Sequence, residues 1–300
     1  MLDTQDGLKI AAYELGGQGN DLVIAHATGF HGRAYIQFAN FLTHKYRVFA
    51  FDERGHGDST SPHDNNFSWQ GFAVDTMRVV DFIKSQGSAA PSANSSTARP
   101  GSTAPVAGQP LIGFGHSAGA AGLLLAEQRH PGTFQALYLY EPVMFPAIEP
   151  PGPDPNNFLS VGARRRRDQF ESYDDAYKNY TSKPPFSILD PQVLDDYVRY
   201  GFDQSGDGSV HLKCKREHEA LVYENGSAHD AFQHLGEVAC PVVLSCGEKT
   251  NAFGPVLIEE FARKTPISRV EVLPGLGHFG PLENPSMVAS SVCTCLEEFL

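Results

Sequence analysis

Residues 111–119 read LIGFGHSAG, in which a short apolar run leads into the motif Gly-x-Ser-x-Gly. A serine hydroxyl is a weak nucleophile unless it is held clear of the fold beside a base, and a sharp turn between a strand and a helix achieves this. Glycines on both sides of Ser117 suit such a turn, because a side chain there would collide with the crowded backbone. A small-residue helical pattern over 118–129 follows, so the stretch predicts a nucleophilic serine.

Length and composition indicate one large globular unit. The chain has 300 residues, of which 41% are hydrophobic and 19% charged, and its formal net charge is −12. This size and composition suit a globular protein with a sizeable core. The acidic balance argues against nucleic acid or a membrane surface as a partner. The four arginines at 164–167 are the basic exception, and we interpret them as a solvated helix face.

Cysteine usage and the N-terminal region favour a reducing compartment. The five cysteines are odd in number and lack metal-ligand spacing, so we expect free thiols and no metal site. Residues 1–17 contain no apolar export segment, and no stretch approaches the length of a membrane span. We therefore expect a cytoplasmic protein, and the sequence leaves its oligomeric state open.

Apolar runs alternate with helical patterns along most of the chain. An early antiparallel strand is predicted at 8–13, and further strands at 22–25, 48–51, 111–114, 136–140, 242–246 and 269–273. Helical patterns lie between most of these runs, and a closing helix is predicted over 283–300. Strands that alternate with helices in this way predict an α/β fold with a mostly parallel sheet and helices on both faces.

Two segments interrupt this alternation. Residues 85–109 are rich in Ser, Ala, Pro, Gly and Thr, so they are predicted to be a disordered insertion. Residues 142–235 begin with several prolines and continue with aromatic-rich helical patterns. They are interpreted as a helical cap over the carboxyl edge of the sheet, where open α/β sheets bind ligands. The predicted core is therefore 1–141 together with 236–300.

Two backbone N–H groups are candidates for an oxyanion hole. The helix that begins at Ala118 directs its first N–H groups toward the reacting centre. The loop His26-Ala27-Thr28-Gly29-Phe30 follows a predicted strand, and its small residues allow the Thr28 N–H to turn toward Ser117. We therefore predict Ala118 and Thr28 as the two donors.

Two further motifs complete a pattern that resembles the α/β-hydrolase family over nearly the whole chain. Residues 52–59 read DERGHGDS after a strand, and residues 277–285 read GHFGPLENP between the last strand and the last helix. These motifs and the Gly-His-Ser-Ala-Gly stretch occur in the order typical of the family. The resemblance implies that Ser117 is the nucleophile and His278 its base, with no cofactor and no metal. It also implies that His26 and His56 hold loops.

This chain differs from the commonest family pattern in the acid that orients His278. The family usually has an aspartate shortly after the strand at 242–246, where this chain has Thr250. A minority of relatives place the acid after the strand that follows the nucleophile helix, and Glu141 stands there. Because the base needs an orienting carboxylate, we favour Glu141, with Glu248 as the alternative acid.

The predicted function is a cofactor-independent serine hydrolase with a small-molecule substrate. An oxyanion hole beside a serine suits acyl transfer, and an aromatic-rich cap suits a small, fairly hydrophobic ester or lactone. One alternative is a perhydrolase or cofactor-free oxygenase-like enzyme on the same scaffold. The other is a ligand receptor with a degenerate triad, which Thr250 favours. The sequence does not separate ester from amide or carbon–carbon bond hydrolysis.

Overall fold

The structure is a computed structural model that describes residues 1–87, 111–147 and 152–300. Most of the insertion predicted at 85–109 therefore lies outside the described residues. Its first three positions are helical, because the helix that begins at Trp69 continues to Gly87. The disorder predicted for 85–87 is thus wrong.

The strands and helices have the following bounds. The strands are β1 Leu2–Asp3, β2 Lys9–Ile10, β3 Ala12–Gly16, β4 Asn20–Ala25, β5 Tyr46–Phe51, β6 Leu111–His116, β7 Ala136–Tyr140, β8 Gln169–Phe170, β9 Phe202–Gln204, β10 Val210–Leu212, β11 Val242–Gly247 and β12 Ser268–Leu273. The α-helices are α1 Ile36–Asn40, α2 Trp69–Gly87, α3 Ala118–Arg129, α4 Phe158–Arg165, α5 Tyr173–Thr181, α6 Pro191–Gly201, α7 Arg216–Glu224, α8 Pro255–Lys264, α9 Gly280–Glu283 and α10 Pro285–Glu297. Short 3₁₀ helices occupy Gly32–Tyr35, Phe186–Ile188 and Leu235–Glu237.

The main sheet has the strand order β12-β11-β7-β6-β4-β5-β3. All of its neighbouring strands are parallel except β3, which pairs antiparallel with β5 at one edge. The predicted α/β fold with a mostly parallel sheet is confirmed. Because parallel strands end at the same edge, the loops after β4, β6, β7, β11 and β12 are brought together there.

Both faces of the sheet are covered, as the continuous apolar runs predict. Along β4, Leu22 and Ile24 pack into one hydrophobic cluster, whereas Val23 and Ala25 pack into the other. Side chains that alternate between two buried faces explain why the strand shows no polar alternation. The sheet is therefore a rigid support for the loops at its carboxyl edge.

The chain between β7 and β11 contains α4, α5, α6 and α7. It also contains a three-stranded antiparallel sheet, β8-β10-β9, which the sequence pattern did not predict because each strand has only two or three residues. The division into a core and a cap at 142–235 stays a prediction. Within the described ranges, no helix is long and apolar enough to cross a membrane.

One predicted feature agrees with the structure to within a few residues, and another needs correction. The closing helix predicted over 283–300 is α10, which begins at Pro285, where the Asn284 side chain accepts a hydrogen bond from the Met287 N–H; α9 precedes it and shares only Glu283 with the predicted range. The arginine run is not wholly a solvated face. The backbone leaves α4 at Arg166 with ψ of 147°. As a result the Arg166 side chain turns inward and is only 14% exposed.

Candidate active site

Ser117 lies on the tight turn between β6 and α3. Its φ of 56° is in the left-handed region, which costs a non-glycine residue roughly 1–3 kcal/mol. The two flanking glycines are required by close packing. A Cβ on Gly115 would lie 2.4 Å from the Cα of Ala120, and one on Gly119 would lie 2.4 Å from the carbonyl of Ala25. The sequence Gly-x-Ser-x-Gly therefore holds the serine in a strained position at the edge of the sheet.

His278 lies on the loop between β12 and α9, and its ring faces Ser117. The distance from His278 Nε2 to Ser117 Oγ is 3.2 Å. The loop is fixed on both sides, because the N–H groups of Gly277 and Phe279 donate to Glu283 at 3.0 and 3.1 Å. The Tyr140 hydroxyl donates to the Gly277 carbonyl at 2.7 Å. These contacts position the imidazole before any substrate binds.

Glu141 is the carboxylate that contacts His278. It follows β7 with a φ of 46° and is fully buried. Its Oε2 lies 2.6 Å from His278 Nδ1. Since a carboxylate accepts, Nδ1 is assigned the proton and Nε2 is left as the acceptor for the Ser117 hydroxyl. Ser117, His278 and Glu141 therefore form a continuous hydrogen-bonded chain.

Thr250 stands at the position where the resemblance implied an aspartate, and its hydroxyl is a hydrogen-bond donor. Its hydroxyl donates to Glu141 Oε2 at 2.7 Å. The Gly247 N–H donates to the other oxygen of Glu141 at 3.1 Å. Burying a carboxylate costs free energy unless such donors replace the hydrogen bonds to water that it loses. Thr250 thus supports the acid from the neighbouring loop.

Glu248, the alternative acid, points elsewhere. Its side chain is exposed, and its Oε2 accepts a hydrogen bond from the Gly275 N–H at 2.8 Å. The structure therefore does not place Glu248 against His278. The acid that does contact this imidazole is Glu141.

The two proposed oxyanion donors lie on segments that are hydrogen-bonded to each other. Ala118 is the first residue of α3, and the next residue, Gly119, donates its N–H to the His26 carbonyl at 3.1 Å. Thr28 lies in a turn closed by the Phe30 N–H and the Ala27 carbonyl at 3.1 Å. Neither the Ala118 nor the Thr28 N–H has a partner among the described residues. Both are free to donate to a ligand.

His26 and His56 brace the loop that contains Thr28. His56 Nε2 accepts a hydrogen bond from the Gly29 N–H at 3.1 Å. His26 Nε2 accepts one from the Glu53 N–H at 2.9 Å. Burial lowers the pKa of each histidine to about 3, so both rings are neutral acceptors near neutral pH.

His116 connects two loops of the site, a role that the motif alone does not indicate. Its two ring nitrogens lie 2.7 Å from the Tyr35 hydroxyl and 2.8 Å from the His278 carbonyl. The Tyr35 hydroxyl in turn accepts from the Ala27 N–H at 3.2 Å. Burial lowers the pKa of His116 well below its usual value, which keeps the ring neutral. The loops of Ala27 and His278 are therefore joined through two buried side chains.

Across residues 1–87, 111–147 and 152–300, no group of three or more His, Cys, Asp or Glu side chains could hold a metal ion. All five cysteines are free.

The fold and this arrangement define a class of α/β proteins with a serine on a strand-to-helix turn. A family model described as the alpha/beta hydrolase family matches residues 22–291. The chain therefore belongs to the alpha/beta hydrolase family.

Individual proteins show the same likeness at low identity. The Abhydrolase domain-containing protein AFT2-1 of Alternaria alternata is 25% identical over an alignment of 230 residues, and the match covers 63% of this chain and 84% of that protein. The peroxisomal alpha-beta-hydrolase Lpx1 of Saccharomyces cerevisiae has a TM-score of 0.77 and 19% identity, covering 97% of this chain and 82% of the other. A thermophilic esterase from Thermogutta terrifontis has a TM-score of 0.68 and 17% identity, and the match covers 99% of this chain and 97% of the esterase. The two solved structures share the fold.

Proposed function

We propose that this protein is a cofactor-independent serine hydrolase that cleaves an ester or lactone of a small, fairly hydrophobic molecule. The main support is the chain of hydrogen-bonding distances from Ser117 through His278 to Glu141. Family membership supports hydrolysis as the reaction class. The similar fold of an esterase is compatible with an ester substrate.

The proposed reaction proceeds through an acyl-enzyme. Ser117 Oγ attacks the carbonyl carbon of the substrate while its proton passes to His278 Nε2. Glu141 stabilises the imidazolium, and the N–H groups of Ala118 and Thr28 stabilise the oxyanion. His278 then gives its proton to the leaving alkoxide as the bond from carbon to the leaving oxygen breaks. Water, deprotonated by His278, then attacks the acyl carbon, the bond from this carbon to Ser117 Oγ breaks, and the carboxylic acid leaves while His278 returns its proton to Ser117 Oγ.

Aromatic side chains beside His278 support an apolar substrate. The ring of Phe279 lies 5.1 Å from that of His278, and Phe30 lies 5.6 Å from Phe279. Phe186 continues this row at 5.7 Å from Phe30. Phe30 is buried, whereas Phe186 and Phe279 are half-buried, and partly exposed rings near His278 favour an apolar acyl or alkyl group over a charged one.

The receptor alternative depends on Thr250 leaving His278 without an acid. Thr250 instead donates to Glu141, which contacts His278. The residue that favoured a receptor therefore no longer does so.

The expected partners and location follow from sequence alone. A small-molecule substrate, no nucleic acid, no membrane surface and a cytoplasmic location remain our predictions.

The test is a panel of p-nitrophenyl esters of increasing acyl length together with several small lactones. We expect turnover of a subset of the panel, and loss of at least about 10³-fold in the Ser117→Ala variant. Retained activity in that variant would place the chemistry elsewhere, and no turnover of any ester or lactone would contradict the proposed substrate class.

A further inference from the structure

Arg166 joins the helices α4, α5, α6 and α7. It lies at the end of α4, and its Nη1 donates to Glu219 on α7 at 2.5 Å. Its Nη2 donates to the hydroxyls of Tyr180 on α5 at 2.9 Å and Tyr197 on α6 at 2.7 Å. A planar guanidinium is suited to several donations in fixed directions. Arg166 therefore fixes where the Tyr197 hydroxyl lies.

Tyr197 in turn contacts residues 29–31, directly after Thr28, at several points. Its hydroxyl donates to the Gly29 carbonyl at 3.3 Å. Its own carbonyl lies 3.1 Å from His31 Nε2, and its ring lies 5.2 Å from that of Phe30. Tyr197 has no exposed surface. The helix α6 is thus attached to the segment that contains the second proposed oxyanion donor.

The direction of these hydrogen bonds is fixed by chemistry. A guanidinium only donates and a carbonyl only accepts. The Tyr197 hydroxyl must therefore accept from Arg166 and donate to Gly29. Burial raises the pKa of Tyr197 well above its usual value, so the hydroxyl keeps the proton that it donates. Donation to a hydroxyl by a cation strengthens the hydroxyl as a donor in turn.

Gly29 needs external support because a glycine backbone by itself permits many conformations. Its φ is +80°, and a Cβ there would lie 2.6 Å from Glu219 Oε1, so only glycine fits. Its N–H is held by His56 and its carbonyl by Tyr197. Together these two contacts fix the backbone on both sides of Gly29. The direction of the adjacent Thr28 N–H depends on that backbone.

We propose that Tyr197, oriented by Arg166, is a positioning residue that holds the Thr28 N–H in the oxyanion hole. The proposal rests on the function proposed above, because it assigns the loop a role in the same site. Tyr197 does not contact the reacting atoms in this account. It acts through the backbone of Gly29.

The chain offers a matched pair of variants for the test. Tyr197→Phe and Tyr180→Phe each remove one buried hydroxyl that accepts from Arg166 Nη2, but only the first removes the bond to Gly29. Hydrogen–deuterium exchange at the amides of Gly29 and Phe30 reports on the loop directly. We expect exchange about tenfold faster in Tyr197→Phe and unchanged within twofold in Tyr180→Phe.

Kinetics on a cleaved p-nitrophenyl ester provide the second measurement. We expect kcat to fall about tenfold in Tyr197→Phe with KM within twofold, because a displaced donor weakens stabilisation of the transition state alone. Arg166→Lys keeps the charge beside Glu219 but replaces the planar guanidinium with a single ammonium on a shorter side chain, so it cannot keep the directions of the two donations to the tyrosines. Like Tyr197→Phe, Arg166→Lys should speed amide exchange in the loop and lower kcat. If Tyr197→Phe does not fold, Arg166→Lys tests the positioning role in its place.

The outcomes separate this inference from the proposed function. Equal loop exchange in the wild type and Tyr197→Phe, or equal effects of the two tyrosine variants, would overturn the positioning role. If the wild type cleaves no ester, the proposed function fails, yet the exchange comparison still decides whether Tyr197 holds the loop.

Discussion

The loops that follow β7 and β11 lie side by side at the carboxyl edge of the sheet, and both approach His278. The loop after β7 provides Glu141, a fully buried carboxylate in contact with the imidazole. The loop after β11 provides Thr250, whose hydroxyl donates to that carboxylate, and Glu248, whose side chain is exposed. The acid and the group that supports it therefore lie on the loops that follow two adjacent strands.

This difference shows that position in the fold, and not position in the sequence motif, determines which carboxylate reaches the base. Adjacent parallel strands end within a few ångströms of each other. Either loop could thus bring an acid to the same imidazole nitrogen. Burial and the number of donors distinguish the two glutamates, since Glu141 accepts from Thr250 and Gly247 whereas Glu248 accepts from Gly275.

Glu141→Gln should have the largest effect. The amide keeps the size of the side chain but cannot stabilise an imidazolium or enforce the required tautomer, so we expect kcat to fall by about 10⁴-fold. Glu248→Gln, the matched control in the neighbouring loop, should stay within twofold of the wild type. Steady-state ester hydrolysis gives kcat for both variants. A larger loss in Glu248→Gln than in Glu141→Gln would mean that Glu248 is the acid.

Moving the acid to the other loop should restore part of the lost rate. The Thr250 hydroxyl lies 2.7 Å from the Glu141 oxygen that contacts His278, so a side chain at position 250 is next to that imidazole. We expect Glu141→Gln/Thr250→Asp to be about 100-fold more active than Glu141→Gln alone. This gain corresponds to about 2.7 kcal/mol in the activation free energy. Glu141→Gln/Thr250→Asn is the uncharged control. Equal activity of the two double variants would show that the loops are not interchangeable.

Removing the support while keeping the acid should have a smaller effect. Thr250→Val preserves shape but removes one donor to a buried carboxylate, and hydrogen bonds to charged groups contribute about 1.5–3 kcal/mol. We expect kcat to fall about 30-fold with little change in KM. A variant with unchanged kcat would mean that Thr250 does not support Glu141.

A buried and an exposed histidine should also affect the pH dependence of the free energy of unfolding in opposite ways. His116 is neutral when folded because burial lowers its pKa, whereas the unfolded chain takes up a proton below about pH 6.5. Its contribution to the free energy of unfolding therefore falls by about 1.4 kcal/mol per pH unit below that point. Urea unfolding between pH 7 and 5 should show a flatter pH dependence for His116→Gln than for the wild type.

His234 provides the exposed counterpart for this measurement. A hydrogen bond to Glu237 raises the pKa of His234. Its contribution to stability is therefore present at acidic pH and is lost as pH rises through the folded pKa. His234→Gln should change the pH dependence slightly and in the opposite direction. Parallel curves for the wild type and His116→Gln would contradict the assignment of a buried neutral ring.

Sequence patterns predicted the parts of the fold that local chemistry determines. The helix α3 and the strand β7 have their predicted bounds, because apolar periodicity and glycines mark them. The motif order also indicated which residues meet, and the structure brings Ser117, His278 and Glu141 together. Whether Glu141 or Glu248 contacts the base could not be fixed from sequence, since burial depends on the packing of separate loops.

The contacts that were missed join residues far apart in the chain. Thr250 donates to a residue 109 positions earlier, and Tyr197 to one 168 positions earlier. No periodicity records such pairings. Arg166 was misassigned because a run of four arginines suggests a uniform solvated face, whereas the backbone leaves the helix at that residue. The contact of Glu283 differs because it is local. This residue belongs to the Pro-Leu-Glu motif shortly after His278 and accepts a hydrogen bond from the Gly277 N–H, so the motif itself offered a signal for it.

The most direct test of the central claim is covalent labelling by a fluorophosphonate probe, followed by peptide mass spectrometry. An activated serine should give stoichiometric modification of Ser117 in the wild type and in Glu248→Gln at equal rates. Labelling of Glu141→Gln should be slower by orders of magnitude. An unmodified Ser117 in the wild type, or rapid labelling of Glu141→Gln, would contradict the account in which Ser117, His278 and Glu141 act as one unit.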